Sequence, residues 1–412
     1  MSSRAVRLVL RDPDLDRSRL TVGFRLILVI PHLFWLAGWF YLATLVAIAN
    51  WIATLITAQP SPMLHRFLAG YVRYAAHVAS YVLLAANSYP PFTGRAGYAV
   101  DVEVDEPGRQ NRWVTGFRLV LAIPAILLAD ALVGFGSTAA GGWTGSAGVA
   151  ATAAFLGWFY VIVHGRMTEG LRDLVIYAIG YSAQVYGYLF LLTDRYPNSD
   201  PAVYEAANVY RSDPVRLTVV DDLRRSRLTV FFRFLLAIPH FVWLLLWGVA
   251  VVFAWIANWF ATLFTGRSPA PLRRFLTAFL RYQTHLYAFL QLAANPFPGF
   301  TGRAGSYPVD VELDPQERQN RWVTAFRLLL AFPAFAILSA LLTAGWLAAV
   351  YAWFSGLFRA RVPRGLRNLI AFQLRYQAQV YAYAYLLTDR YPYSGPSAGW
   401  QMTLAPPAPE PS

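Results

Sequence analysis

The chain has 412 residues, of which 57% are hydrophobic and only 14% charged, and its mean hydropathy is +0.40. A soluble domain carries about 25% charged residues, so the composition argues against one and for an integral membrane protein. The net charge of +13 is carried by arginine without a single lysine, and the absence of cysteine excludes disulfides and thiolate chemistry.

The first twenty residues, "MSSRAVRLVLRDPDLDRSRL", hold five arginines and no apolar stretch of signal-peptide length. The spans themselves are therefore expected to direct insertion, with the N-terminus in the cytoplasm. "AVRLVLR" (5–11) reads as a short basic strand. It leads into "TVGFRLILVIPH" (21–32), an apolar phrase interrupted by Arg25 and His32. The apolar run from Leu20 to Thr57 would, as one helix, reach nearly twice the thickness of a hydrocarbon core of about 30 Å. It is expected to turn back at "GW" (38–39). The following stretch, 63–87, places Arg66, Arg73, His77 and Ser80 near one helical face, the pattern of an amphipathic helix in the cytoplasmic interface.

A second quarter then repeats the plan. "AVDVEVDEP" (99–107) alternates as a strand, but an acidic one, suited to pairing with the basic opening segments in a small sheet outside the bilayer. "RQNRWVT" (109–115) precedes Arg118 in "VTGFRLVLAIPA", and "LLTDRYP" (191–197) closes the quarter. Between Arg118 and Trp158 lies the glycine-rich "GFGSTAAGGWTGSAG" (134–148), longer than in the other quarters and expected at a hairpin tip.

Offset by 208 residues, Arg25, His32, Asn50, Trp51, Arg73, Tyr74 and His77 recur as Arg233, His240, Asn258, Trp259, Arg281, Tyr282 and His285. "RQNRWVT" recurs at 318–324 before Arg327, and "LLTDRYP" at 386–392. The chain is a duplication of a duplication. Its halves are 1–197 (quarters 1–97 and 98–197) and 215–394 (quarters 215–305 and 306–394), with a polar linker at 198–214 and a Pro/Ala tail at 395–412 expected to be disordered. The expected fold is an all-α membrane protein of four transmembrane helical hairpins, about eight spans, with interfacial amphipathic helices and a small cytoplasmic β-sheet. No hairpin tip carries arginine and every segment between hairpins does, which places those segments and both termini in the cytoplasm.

Two readings of Arg25, Arg118, Arg233 and Arg327 are open. As depth anchors they would snorkel to the headgroups. As an anion site they would converge with Arg73, Arg281 or Arg375 on a lipid phosphate, incompletely in the second quarter, which has Gly180 at that position. His32 and His240 are replaced by Ala125 and Ala334 in the even quarters. His77 and His285 correspond to Gln184 and Gln379, each three residues after Tyr74, Tyr282, Tyr181 or Tyr376. Exchange of histidine for glutamine favours hydrogen bonding between helices over metal ligation or proton transfer. "TDRYP" suits a capped or salt-bridged terminus. Neither a P-loop, a zincin motif nor a nucleophile elbow occurs, so no catalytic residue, metal or cofactor is assigned. The dispersed arginines fit nucleic-acid binding poorly.

At "FRLLLAFPAF", "YQAQVYAYAYLLTDRYP" and "RQNRWVT" the sequence resembles a bacterial membrane family known only as domain of unknown function 4389, in tandem copies over roughly residues 4–394. The resemblance implies the membrane class and no activity. The expected function is a non-enzymatic scaffold or accessory subunit of the bacterial inner membrane, binding anionic lipid headgroups or a membrane-protein partner. The alternative is a transporter or channel built from two pseudo-symmetric halves.

Overall fold

The computed structural model describes residues 5–134, 147–201, 213–396 and 401–403. Most of the glycine-rich insertion, of the linker and of the Pro/Ala tail lies outside the described residues. The chain divides into two compact units, Met1–Asn198 and Ser199–Ser412, so the boundary falls at the start of the polar linker.

The first unit contains β1 (Val6–Leu10), α1 (Arg19–Leu28), α2 (Ile30–Thr57), α3 (Pro62–Val82), β2 (Val100–Val104), α4 (Arg112–Val133), α5 (Val149–His164) and α6 (Glu169–Leu189). The second repeats this order as β3 (Val215–Val220), α7 (Arg227–Leu236), α8 (Ile238–Thr265), α9 (Ala270–Leu290), β4 (Val309–Leu313), α10 (Arg321–Ala325), α11 (Arg327–Arg359) and α12 (Arg364–Ala384). Side-chain oxygens of Ser18, Asn111, Ser226 and Asn320 cap the first helix of each quarter.

Ile30–Thr57, Arg112–Val133, Arg227–Thr265 and Arg327–Arg359 are each long and apolar enough to cross a membrane. The turn expected inside the apolar run does not occur. α2 continues as helix through Gly38 and Trp39, α8 through Trp247 and Gly248, and α11 through Gly345 and Trp346. A length limit binds only a helix that crosses the bilayer once along its normal, and glycine beside tryptophan leaves the backbone ladder intact. α1 and α2 are separated only by Val29, whose N–H still reaches Arg25 O while Leu33 N–H reaches Val29 O. Pro31 and Pro239 follow such breaks, whereas Pro124 and Pro333 lie inside continuous helices.

Nor does the insertion mark a hairpin tip. Gly134 and Gly148, at φ 78° and 70°, bring α4 and α5 end to end: a Cβ on Gly148 would lie 2.3 Å from Gly134 N. Two glycines in the left-handed region let the chain leave a helix and re-enter it at one point. α4 and α5 together take beside α6 the place that the uninterrupted α11 takes beside α12.

The hairpin of each quarter is instead formed by the long helix and the third helix, α3, α6, α9 or α12. In the first quarter Arg25 meets Tyr81, His32 meets Tyr74, Trp39 meets Phe67 and Tyr71, and Ser61 N–H reaches Asn50, an antiparallel pairing along the whole length. The amphipathic helices expected on the membrane surface are therefore the buried middle of each unit. The wide apolar face that suggested lipid contact is covered by the long helix, as in the cluster of Val29, Tyr74, Val78 and Tyr81.

The long helices of the odd quarters, α2 and α8, are inside out, whereas α4 and α11 bury a mainly apolar face. In α2 the buried residues are His32, Ala43, Asn50 and Thr54, while Phe34, Leu45 and Ile56 are 76, 65 and 69% exposed. His32, Ala43 and Thr54 recur every eleven residues, about three turns, and Phe34, Leu45 and Ile56 follow each by two, on the opposite side. α8 repeats this with His240, Val251 and Thr262 inside and Val242, Phe253 and Phe264 outside. Exposed apolar area this extensive marks a lipid-facing surface.

Acidic and basic strands pair as their sequences suggest, but in two sheets rather than one, because each unit pairs its own quarters. β1 runs antiparallel to β2 with Arg7 opposite Glu103, and β3 antiparallel to β4 with Arg216 opposite Glu312. The short β5 (Gln401–Thr403) lies parallel to β3. The strands rest on the third helices. Deleting residues 135–147, so that Gly134 joins Gly148, should leave the thermal unfolding of the detergent-solubilised protein within about 1 kcal/mol of wild type; loss of folded protein would show that α4 and α5 need the excursion.

Candidate functional site

The four phrase arginines occupy four copies of one environment. Each third helix ends in a leucine with left-handed backbone: Leu84, Leu191, Leu292 and Leu386, at φ 60–65°. The chain reverses there through Schellman-type bonds, such as Leu192 N–H to Gly187 O and Leu387 N–H to Ala382 O. Such a turn leaves carbonyls of the last helical turn without an intrahelical partner in an apolar setting. The phrase arginine supplies the donors. Arg25 Nη1 donates to Tyr81 O at 2.6 Å and Ala86 O at 3.1 Å. Arg118 donates to Tyr188 O and Thr193 O, Arg233 to Phe289 O and Ala294 O, and Arg327 to Tyr383 O and Thr388 O. Each guanidinium also stacks 4.3–4.4 Å over the ring of Tyr81, Tyr188, Phe289 or Tyr383.

All four are at most 2% exposed, so neither a snorkelling anchor nor an open headgroup site describes them. They are cations at helix C-termini, where the backbone dipole favours positive charge. In "TDRYP", Asp389 completes the fourth site with an oxygen 2.7 Å from Arg327 Nη2, a salt-bridged terminus.

A second set of four went unnoticed in the sequence. Eight residues before each phrase arginine stand Arg17, Gln110, Arg225 and Gln319, and each donates to the carbonyl of the left-handed leucine: Leu84, Leu191, Leu292 or Leu386. Their recurrence at one spacing was the available signal, but a backbone acceptor leaves no mark in a sequence. "RQNRWVT" now resolves by role: Gln110 holds Leu191, Asn111 caps α4, Arg112 donates to Ile56 O at the end of α2, and Thr115 O accepts Trp51 Nε1. The recurring tryptophans act reciprocally within each unit. Trp51 donates to Thr115 O and Trp158 to Val22 O, as do Trp259 to Thr324 O and Trp353 to Val230 O.

Arg73 and Arg281 do not converge with the phrase arginines. Arg73 donates to Val102 O and Gly94 O, Arg281 to Val311 O, and the buried Arg375 to Gly395 O. His32 Nδ1 lies 2.7 Å from the Tyr74 hydroxyl and His240 Nδ1 3.0 Å from that of Tyr282, each ring stacked on Phe92 or Phe300. In the fourth quarter, where alanine replaces histidine, Tyr376 donates to Ala334 O instead. Tyr181 is buried at the matching place in α6. Gln184 and Gln379 accept from Asn198 N–H and Tyr393 N–H.

His77 and His285 bond not to a helix but to the strands, with Nε2 at 3.1 Å from Asp101 and 3.0 Å from Asp310. Two-residue alternation in "AVDVEVDEP" (99–107) and "YPVDVELDP" (307–315) sets these aspartates on the face opposite the valines, the polar face of a half-buried strand. They are buried, because the loop before the strand turns Gly97 N–H and Gly305 N–H onto their free oxygens. Among the described residues no three metal-ligating side chains gather.

Burial pushes His77 below the ordinary histidine value of 6.5, against the pull of Asp101. Burial raises Asp101, but the donors from Gly97, His77 and Val102 outweigh it and hold the carboxyl below its ordinary 3.8. The folded state thus binds neutral imidazole and ionised carboxylate, and the unfolded chain takes up protons at higher pH than the folded one at both groups. Stability should fall as pH drops through 6.5 and again through 3.8. His77→Gln should reduce the upper step in thermal unfolding without abolishing it, since burial also holds His65 below 6.5; an unchanged profile refutes the assignment.

Arg233→Gln should destabilise the protein by about 2–3 kcal/mol, the scale of a charge-assisted bond with buried acceptors left behind. Arg327→Gln should lose more, because Asp389 is left uncompensated, and Asp389→Asn should recover part of that difference but none in wild type. Equal losses at both arginines in detergent unfolding would show that the carboxylate contributes nothing.

No curated protein matches the chain, and no solved structure matches it either. A family model described as "Domain of unknown function (DUF4389)" matches residues 19–94, 144–199, 227–301 and 321–394, well over half of the chain. The matched segments hold the third helices with the leucine turns, and three of the four phrase arginines. The chain belongs to the family of domain of unknown function 4389, in four tandem copies.

Proposed function

We propose that this protein is a non-enzymatic, membrane-embedded scaffold or accessory subunit of a bacterial inner membrane that binds anionic lipid headgroups at its cytoplasmic face. The supporting observation is where exposed arginine and exposed tryptophan meet. At the end of α2, Gln110 N–H bonds Ala58 O, which brings Arg109, Arg112 and Trp113 beside the turn into α3 and its Arg66. At the end of α8, Gln319 N–H bonds Gly266 O and brings Arg318, Arg321 and Trp322 beside Arg267 and Arg274. Trp113 and Trp322 are 78 and 76% exposed, and all these arginines are exposed. Tryptophan marks the membrane–water interface, and clustered arginine beside it suits phosphate. The buried arginines and histidines are committed to internal bonds, which supports an architectural role for them.

Native mass spectrometry should detect anionic lipid retained by the wild-type protein and a several-fold loss in the variant with Arg66, Arg109, Arg274 and Arg318 all changed to Gln. Equal retention by the folded variant would overturn the headgroup reading.

A further inference from the structure

We infer that the long helices lie along the membrane, embedded in one leaflet, rather than across it. This inference concerns placement and does not rest on headgroup binding. α7 and α8 form an apolar helix of 39 residues, about 58 Å at about 1.5 Å per residue, against a hydrocarbon core of about 30 Å. Helix tilt accommodates a modest excess, not a factor of two.

The position of the sheet decides between the orientations. In the first unit the two long helices run antiparallel. α1 begins beside the end of α5, where Arg19 donates to Val163 O, and α4 begins beside the end of α2, where Arg112 donates to Ile56 O. β2 rests on α3 at Arg73 and His77, the level of Val29 and His32 on the long helix. β1 meets α6 at Gly187, the level of Arg118, and thus of Trp51 on the neighbouring long helix. These contacts lie on either side of the midpoint of the Arg19–Thr57 path, with Trp51 six residues from its end, so the sheet spans the middle of the helix pair rather than capping one end. Standing upright, the pair would hold the β2 side of this sheet within the depth of the hydrocarbon core, with the side chains of Arg11 and Glu103 44 and 45% exposed, along with the open edge of a two-stranded sheet. Exposed charge and unpaired strand edges are not found facing hydrocarbon.

Charge distribution points the same way. Arginine stands at both ends of the pair: Arg19 and Arg166 at one, Arg109 and Arg112 at the other. Without the internal turn, an upright helix would place these on opposite sides of the membrane, against the one-sided bias of arginine in short loops. Lying flat, both ends and the sheet face one compartment, and the outward row of Phe34, Leu45 and Ile56 enters the acyl region together. The second unit, taken by itself, repeats the arrangement with Val242, Phe253 and Phe264 outward and with the ion pairs of Arg216 to Asp314 and Glu312 on its sheet.

The cysteine-free chain allows a direct test. Single cysteines at Phe34, Leu45, Ile56 and Glu103, each spin-labelled in the full-length protein in phosphatidylglycerol/phosphatidylethanolamine vesicles, would be ranked for depth by collision with oxygen and with a nickel chelate. Phe34 to Ile56 spans about 33 Å of helix. Similar depths for the three helix labels, with the Glu103 label in water, are expected. Depths that pass through the bilayer centre, with the Glu103 label in lipid, would overturn the inference. So would helix labels shielded from both reagents, which would mean that another protein surface covers this face. A label that disturbs folding is recognised by altered gel-filtration elution and replaced by its counterpart at Val242, Phe253 or Phe264.

Discussion

A helix that ends in an apolar environment must find donors for its last carbonyls, and in this protein that requirement is met four times by one arginine reaching across from a neighbouring helix. The left-handed leucine turns the chain sharply and exposes those carbonyls. Left-handed backbone costs a residue with a Cβ about 1–2 kcal/mol, and the turn persists because a guanidinium and a second donor eight residues earlier fill its acceptors. The pairing also fixes register. Once Arg25 lies over Tyr81, the antiparallel path brings His32 to Tyr74 and Asn50 to Ser61 without further choice.

The inverted character of α2 and α8 follows from the same constraint. With lipid outside, apolar side chains gain nothing by facing inward, so specificity passes to polar contacts between elements. The indoles of Trp51 and Trp158 reach carbonyls three residues before the phrase arginine of the other quarter, giving each unit an internal two-fold character. The quarters are not equivalent, however. Odd quarters place a histidine between the long helix and the tyrosine of the third helix, and a second histidine against the aspartate of an acidic strand. Even quarters place alanine and glutamine there, and the glutamine receives the chain that follows its helix.

Much of this was legible in the sequence, and the limits are instructive. Repetition exposed the phrase arginines, the tryptophans and the His/Gln exchange, and alternation with opposite charge indicated that acidic strands pair with basic ones, though not the register that sets Arg7 opposite Glu103 and Arg216 opposite Glu312. What the sequence did not contain was the acceptor. Tyr81 O and Leu84 O are backbone atoms, so a buried capping arginine and a snorkelling one look alike until the turn is seen. Asp101 was hidden for a related reason: period-two alternation assigns faces to a strand but says nothing of a loop folded over one of them. The missing turn at Gly38 came from a premise about the membrane, since only a helix that crosses needs to match its thickness.

The donor eight residues before each phrase arginine shows how the copies diverged under one rule. In even quarters it is glutamine, which can donate and accept at once. Gln110 Oε1 accepts from Arg118 Nη2 at 2.7 Å while its amide holds Leu191, and Gln319 does the same for Arg327 and Leu386. In odd quarters it is arginine, which cannot accept, and Arg25 Nη2 and Arg233 Nη2 are buried without a hydrogen bond. Two cations then share one turn. The second unit relieves this by setting Asp221 2.8 Å from Arg225, and the first by turning Arg17 onto the carbonyls of Asp14 and Asp16. The odd turns are thus the electrostatically harder ones to build, and it is there that acidic residues immediately precede the phrase, in "RDPDLDRSR" and "DDLRRSR".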